Sequence, residues 1–180
     1  MNRTTFLIDG FNLYHSLKNA SQDLGLNGKG TRWLDLRSLC DSFLHLIGNN
    51  AQISEIYYFS ALARHLESRK PDITVRHENY IRSLKNSGVT VELHRFKKSL
   101  TVCKKCGQVF SRQEEKETDV AIATRLFEVL YLDKCDTVAL ITGDTDIVPV
   151  DISSNNYTKH QFPDPFITKK KKEIYKPSTW

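Results

Sequence analysis

Hydrophobic and polar positions along the chain follow two periods, one typical of buried strands and the other of amphipathic helices. Four short apolar runs predict strands at 4–9, 53–60, 89–96 and 137–142. Apolar residues at helical spacing predict helices over 34–47, 71–86 and 114–133, and a shorter helix that starts near Asn12. Because strands alternate with helices, we predict an α/β fold with a mainly parallel central sheet and helices on both faces.

The length of 180 residues suits one α/β domain, which we place at residues 1–150, followed by a tail at 151–180. After Asp146 the periodicity is lost and the chain becomes polar, with several Pro and Lys residues. Within the domain we predict the strand order 3-2-1-4, with a fifth strand beyond the fourth. In that order the first and fourth strands are neighbours. Ligands of such sheets bind outside the carboxyl ends of the strands, where the order reverses.

Carboxylates end both strands that are predicted to meet at that point. Asp9 follows the first strand, and Asp144 and Asp146 follow the last one in a Gly-Asp-Thr-Asp segment. Asp119 adds a carboxylate in the first turn of the longest predicted helix. Carboxylates brought together there would repel one another unless a cation lay between them, and oxygen ligands favour Mg²⁺ or Mn²⁺. Each of these residues also has an ordinary structural alternative, as a turn residue or at a helix N-terminus.

The charge pattern favours a polyanionic partner. The formal net charge is +5, and the stretch from 94 to 112 holds six Lys or Arg residues and no Asp or Glu. A solvated surface is the ordinary explanation of a basic run alone. Beside a cluster of carboxylates, however, such a run indicates a site that holds or cuts a phosphate backbone. The candidate RNA contacts are Arg64, Arg95, Lys97, Lys98, Lys104 and Lys105.

Aromatic residues near the predicted strand ends offer a second kind of contact with nucleic acid. Phe11, Tyr14 and Tyr58 could stack on bases. Packing in the core is the role that we expect for them, because large aromatic side chains are mostly buried.

The four cysteines fall into two pairs with different surroundings. Cys40 and Cys135 occupy apolar helical patterns and are predicted to be buried thiols. Cys103 and Cys106, in Cys-Lys-Lys-Cys-Gly, resemble half of a zinc ribbon, whose spacing lets two thiolates share one tetrahedral Zn²⁺. The alternative is a pair of reduced thiols in a turn. Sources open for two further zinc ligands are His77, His94, His160 and a second subunit of a homodimer.

Nothing in the chain predicts contact with a membrane. No apolar stretch approaches the roughly 20 residues that a membrane span needs. The first residues enter a strand at once, without the apolar region of a signal peptide. We therefore expect a cytoplasmic protein.

Three segments together resemble the NYN domain family, the LabA-like members of the PIN-like nucleases. They read LIDGFNL at 7–13, ETDVAIA at 117–123 and ITGDTDIVP at 141–149. The resemblance covers about residues 4–150. It implies a three-layer α/β/α PIN-like fold and a metal-dependent endoribonuclease that hydrolyses RNA with Mg²⁺ or Mn²⁺. Carried onto this chain, it implies an acidic cluster with one accessory polar group: Asp9, Asp119, Asp144, Asp146 and the amide of Asn12.

The chain departs from the family's pattern after Asp146, where members continue with a helix and another strand. Either the domain is internally shortened or residues are missing from the sequence between about 151 and 160. We expect the second, because losing a helix and a strand would expose part of the core. The free-energy cost of that exposure would be larger than the net stability of a typical domain.

Two other functions stay open. One is a non-catalytic RNA-binding or adaptor module that has the same fold. The other is a phosphatase of the haloacid dehalogenase type, whose first strand ends in Asp-x-Asp. We rank it last because Phe11 stands where the second Asp of that motif would be.

Overall fold

The computed structural model describes residues 1–26, 33–68, 70–144, 147 and 167–171, with the backbone alone for 112–116 and 167–171. The strands are β1 (Asn2–Asp9), β2 (Ala51–Ala61), β3 (Thr90–Val102), β4 (Val109–Lys116), β5 (Thr137–Ile141) and β6 (Ile167–Lys171). The helices are α1 (Gly10–Asp23), α2 (Leu36–Ile47), α3 (Asp72–Asn86) and α4 (Thr118–Tyr131). A 3-10 turn at Arg64–Leu66 follows β2. None of the described helices has the length and apolar character needed to cross a membrane.

The strands form one sheet in the order β4-β3-β2-β1-β5-β6. β1 pairs in parallel with β2 on one side and with β5 on the other, and β2 pairs in parallel with β3. The outer strands β4 and β6 run antiparallel to their neighbours. The predicted α/β fold is therefore confirmed, as is the order of the four predicted strands. The reversal of strand order lies between β1 and β5, as expected.

The segment that joins β3 to α4 differs from the prediction. Residues 109–116, expected to be loop and the start of a helix, form β4. β4 pairs with the outer half of β3 from Arg95↔Lys116 to Val102↔Val109, and we call these paired strands the β3–β4 ribbon. The charged residues at 112–116 have helix-compatible propensity, but the pairing with β3 overrides it. α4 begins only at Thr118.

The core consists of two apolar layers, one on each face of the sheet. Phe6 and Ile8 of β1 belong to the layer that α2 and α3 cover, whereas Leu7 belongs to the layer that α4 covers. This alternation is typical of a strand buried on both faces. Cys40 and Cys135 are free thiols buried in the two layers, as predicted. Burial raises the pKa of the Cys40 thiol to about 12.

The first residue of α1 packs tightly against β2. A Cβ atom on Gly10 would lie 2.6 Å from the Tyr58 hydroxyl oxygen and still closer to the ring. Tyr58 is 5% exposed and sits in the apolar layer of α2 and α3, so its ring has little room to move. The glycine after Asp9 is therefore required by space.

Gly10→Ala should lower the free energy of unfolding by about 1–3 kcal/mol, because the added methyl group overpacks a confined ring. Denaturant unfolding of Gly10→Ala, Tyr58→Leu and the double variant checks this. A smaller side chain at position 58 relieves the clash, so the two changes together should cost less than the sum of their separate costs. Strictly additive costs would contradict the close contact.

Candidate active site at the carboxyl edge of the sheet

Asp9 lies at the centre of the candidate site, between the end of β1 and the start of α1. It is 2% exposed. Its Oδ1 accepts a hydrogen bond from the backbone N–H of Asn12 at 3.0 Å. Its Oδ2 accepts one from the Asn12 side chain at 2.5 Å and one from the Thr142 hydroxyl at 3.0 Å. A carboxylate has about four acceptor positions. The described contacts therefore leave one position, on Oδ1, for a further ligand.

The spacing of Asp9 and Asn12 has a local structural cause. Asp9 is the N-cap of α1, with φ −76° and ψ 102°, and it accepts the backbone N–H three residues later. This is the usual way to satisfy an N–H group at the first turn of a helix. The structural alternative for Asp9 is thus realised. The cap of the backbone N–H uses Oδ1 of the carboxylate, whereas the Thr142 hydroxyl binds Oδ2.

Thr142 connects the end of β5 to Asp9. β1 and β5 are in register up to Ile8↔Ile141, so Asp9 and Thr142 follow at the same level. The Thr142 hydroxyl donates to Asp9 and accepts the backbone N–H of Asp144 at 3.1 Å. Asp144, which is half-buried, is therefore held two hydrogen bonds away from Asp9. Thr142 has no role that the sequence predicts, although it stands inside the motif at 141–149.

The first turn of α4 lies at the same edge of the sheet. β2 ends at Ala61, which pairs with His94 of β3. The next residue of β3, Arg95, pairs with Lys116 at the end of β4, so β4 ends at the same edge. α4 begins two residues later and carries Asp119, which is exposed, in its first turn.

Glu117 anchors this junction between β4 and α4. It has a φ of 79°, and its carboxylate lies 3.0 Å from the Lys97 ammonium of β3. The hydrogen bond and charge of Lys97 lower the pKa of Glu117. The ion pair thus ties the start of α4 to the β3–β4 ribbon.

The acidic residues do not all gather into one cluster in the described part of the chain. Asp9 and Asp144 share the edge between β1 and β5, and Asp119 lies on α4. Among the described residues, no three His, Cys, Asp or Glu side chains form a group that could hold a metal ion. Asp146 lies outside the described residues. The carboxylates therefore offer at most a partial set of ligands here.

A second ionic contact fixes α4 against the sheet. Arg125 donates to Glu92 of β3 at 2.6 Å and to Glu128 at 2.6 Å, and its guanidinium lies 4.7 Å from the centre of the Tyr57 ring. The side chains of Arg125 and Glu92 are 24% and 25% exposed. Sequence reasoning missed this pair, because 33 residues separate its members.

The predicted RNA contacts lie on the ribbon and beside it. Arg64 is exposed in the 3-10 turn. Exposed positions along β3 carry Arg95, Lys97 and Lys98. Lys104 and Lys105 are exposed in the turn at the tip of the ribbon. Lys97 would have to exchange its partner Glu117 for a phosphate.

The two cysteines of Cys-Lys-Lys-Cys-Gly form a tight turn at the tip of the ribbon. The backbone N–H of Gly107 donates to the carbonyl of Cys103 at 2.9 Å, and Gly107 has a φ of 71°. Hydrogen bonds to the Cys103 sulfur from the backbone N–H groups of Lys105 and Cys106 lower the pKa of the Cys103 thiol, as does the Cys106 thiol. These contacts favour the thiolate, which is the form that binds metals.

The ribbon separates these thiols from the histidine nearest in sequence. His94 precedes Cys103 by nine residues of extended strand, roughly 25–30 Å. Its ring stacks on Phe59 with the ring centroids 6.4 Å apart. His77 lies on α3, and His160 is outside the described residues. Further zinc ligands therefore do not come from His94.

Comparison with known proteins gives one family. A family model described as NYN domain matches residues 3–159 of this chain. The match includes β1 from its second residue onward, α4, β5 and the segment around Asp144, and hence every residue described above at the edge of the sheet. Neither curated proteins nor solved structures give a significant match.

Thr142→Val should lower the free energy of unfolding by about 1–3 kcal/mol, because it removes a donor to a buried carboxylate and the acceptor of the Asp144 N–H. Thr142→Ser keeps the hydroxyl and loses only a methyl group, so it should lower the free energy of unfolding by about 0.8 kcal/mol. Denaturant unfolding compares the two variants. Equal stability of the Val and Ser proteins would contradict the bridging role.

Proposed function

Because the chain belongs to the NYN domain family, which is part of the PIN-like nuclease superfamily, we propose that it is a metal-dependent endoribonuclease. It hydrolyses RNA phosphodiester bonds at the carboxyl edge of the sheet. The observation that supports this proposal best is the chain of hydrogen bonds from buried Asp9 through Thr142 to Asp144. It holds two acidic residues from opposite ends of the domain at the point where the strand order reverses.

The residues at this edge fit a hard divalent cation such as Mg²⁺ or Mn²⁺. The described contacts of Asp9 leave one acceptor position on a buried carboxylate. Mg²⁺ is usually held by one or two carboxylates together with waters and substrate phosphates, so a cage of three protein ligands is not required. We assign Asp9 and Asp144 as direct ligands. Asp119 and Asp146 complete the site around them.

The side chains at the edge act by orientation. Asn12 and Thr142 fix both oxygens of Asp9, so that its remaining acceptor position has one direction. Thr142 also fixes the backbone of Asp144. When bound, a divalent ion supplies Lewis-acid activation of water and positive charge against the phosphoryl oxygens. No side-chain nucleophile is part of this proposal.

RNA is the proposed substrate because exposed cations lie along the route to this edge. Arg64 follows β2, and Arg95 lies where the β3–β4 ribbon leaves the parallel strands. Lys98, Lys104 and Lys105 extend the positive charge towards the tip of the ribbon. Such residues position a phosphate backbone without reading its sequence.

We also propose a cytoplasmic location. None of the four cysteines forms a disulfide in the structure, which fits a reducing compartment.

A second candidate function is an RNA-binding module without catalysis. It is favoured by the three hydrogen bonds that Asp9 already makes as a helix cap and strand link. In that case the acidic edge would serve only the fold, and metal ions would leave RNA intact.

Cys103 and Cys106 are the proposed ligands of a separate, structural Zn²⁺. The turn holds two sulfurs together and favours the thiolate of Cys103. A structural zinc site takes four ligands. We propose that the same turn of a second copy supplies the other two, which makes the protein a zinc-bridged homodimer.

Asp9→Asn should abolish Mn²⁺-dependent cleavage of RNA, with a loss of rate of at least about a hundredfold. Asn keeps the helix cap through its side-chain oxygen but places an NH2 group opposite the donors of Asn12 and Thr142, so the variant should lose about 1–3 kcal/mol of stability and still fold. Asp144→Asn should act in the same way. Cleavage of a labelled RNA with and without Mn²⁺ measures the effect.

Asp133→Asn is the matched control for these variants. Asp133 has a φ of 55°, which Asn tolerates, and it lies beyond the far end of α4, close to Arg3 at the start of β1. The Asp133→Asn protein should cleave RNA with Mn²⁺ at the same rate as the unsubstituted protein. Cleavage that persists in both Asp9→Asn and Asp144→Asn would favour the non-catalytic module or a contaminating nuclease.

The zinc proposal predicts one Zn²⁺ for two chains, measured by metal analysis together with the mass in solution. Cys103→Ser should lose the zinc and become monomeric. Lys104→Gln, a change in the same turn that leaves the thiols intact, should retain both zinc and dimer. One zinc per monomeric chain would contradict the shared site, and zinc-free parent protein would contradict the site itself.

A further inference from the structure

Five aromatic rings form a continuous row on the surface beside Asp9. Tyr14 and His15 of α1 have ring centroids 5.4 Å apart, and His15 lies 4.5 Å from Phe11. Phe11 in turn lies 6.2 Å from Phe96 of β3, which lies 4.8 Å from His65 of the 3-10 turn. We call these five residues the aromatic row. The row joins three elements that meet at the carboxyl edge of the sheet.

The row is open to solvent. Phe11 is 42% exposed and Tyr14 is 53% exposed, and both histidines are exposed as well. Core packing, the role expected for Phe11 and Tyr14 from the sequence, holds only for Tyr58. Burying a large apolar side chain contributes about 1.5–3 kcal/mol, so exposed aromatic residues in mutual contact indicate a surface that a ligand covers.

The geometry of the row suits planar ligands. All four ring contacts are edge-to-face, with interplanar angles from 62° to 84°. In such a pair only one ring has a face covered by its neighbour. The other faces can stack on further rings, and every nucleobase offers a π-face of this kind.

Cations lie at both ends of the row. Lys18 is exposed one helical turn after Tyr14 on α1, and Arg64 is exposed beside His65 in the 3-10 turn. Arg95 and Lys97 adjoin Phe96 in sequence but lie on the opposite face of β3, where Lys97 pairs with Glu117. Aromatic rings with basic groups beside them are typical of surfaces that bind single strands, where the cations follow the phosphates and the rings take the bases.

We infer that the aromatic row binds the unpaired bases of single-stranded RNA and guides the strand to the acidic edge at Asp9. The identity of the nucleic acid rests on the proposed function, whereas the stacking surface rests on the ring contacts and their exposure. A duplex has its bases already stacked and paired, so it cannot use the row without being opened. The row therefore selects single-stranded over double-stranded substrate.

Binding measured without cleavage tests this inference. The probes are a fluorescein-labelled single strand of roughly ten nucleotides, the same strand annealed to its complement, and a strand of equal length with abasic sugars. Anisotropy is recorded without added Mg²⁺ or Mn²⁺. The parent protein should bind the single strand more tightly than either other probe.

Phe11→Ala and Tyr14→Ala should each weaken binding of the single strand at least about fivefold. Tyr14→Phe, which keeps the ring, should bind like the parent. Phe127→Ala and Tyr131→Ala are the matched controls, because these α4 residues are 51% and 89% exposed and lie outside the row. Neither control should change binding. Affinity for the abasic strand should be the same in all of these proteins.

Three results would overturn the inference. One is that the row variants bind the single strand as tightly as the controls do. Another is that they lose affinity for the abasic strand equally, and the last is that the parent prefers the duplex. Tyr14 lies on an exposed helix position, so its variant decides the matter even if Phe11→Ala fails to fold. Cleavage that depends on Asp9 would stand under any of these results, which separates this inference from the proposed function.

Discussion

The parallel register of β1 with β5 is the constraint on which the candidate site depends. It joins residues 133 positions apart and brings the end of each strand to one level. The Thr142 hydroxyl then binds the Asp9 carboxylate and the backbone of Asp144. A shift by one residue would turn Thr142 to the opposite face of the sheet and break both contacts. Apolar packing of Leu7 and Leu140 on one face and of Phe6 and Ile8 on the other prevents such a shift.

The electrostatics of the site include hydrogen bonds that were not expected from the sequence. Repulsion among several carboxylates was expected to require a cation. Among the described residues, Asp9 is a buried carboxylate whose cost of burial is offset by donors from Asn12 and Thr142. A cation would therefore use the acceptor position that these donors leave over. Asp144 and the phosphates of the substrate would supply its other oxygens.

Strand order and the residues at the strand ends could be predicted because they follow from period and from βαβ topology. β4 could not, because its partner strand decided the conformation of a charged segment. The role of Thr142 depends on the register between β1 and β5, which the hydrophobic periodicity does not predict. The exposure of Phe11 likewise depends on how α1 leaves the sheet and on a contact with Phe96 across the molecule. Conformations set by distant partners were thus beyond the local pattern.

The β3–β4 ribbon connects the proposed roles of the chain, since it carries Phe96, the exposed cations and the two thiols at its tip. Phe96 and the cations serve catalysis only if the acidic edge binds a metal ion, whereas the thiols belong to the separate zinc proposal. Anomalous diffraction from crystals soaked in Mn²⁺ tests that claim most directly. We expect an ion about 2.1 Å from Oδ1 of Asp9, with an oxygen of Asp144 in the same coordination sphere. Crystals that bind Mn²⁺ elsewhere, or that leave Asp9 bonded only to Asn12 and Thr142, would contradict it.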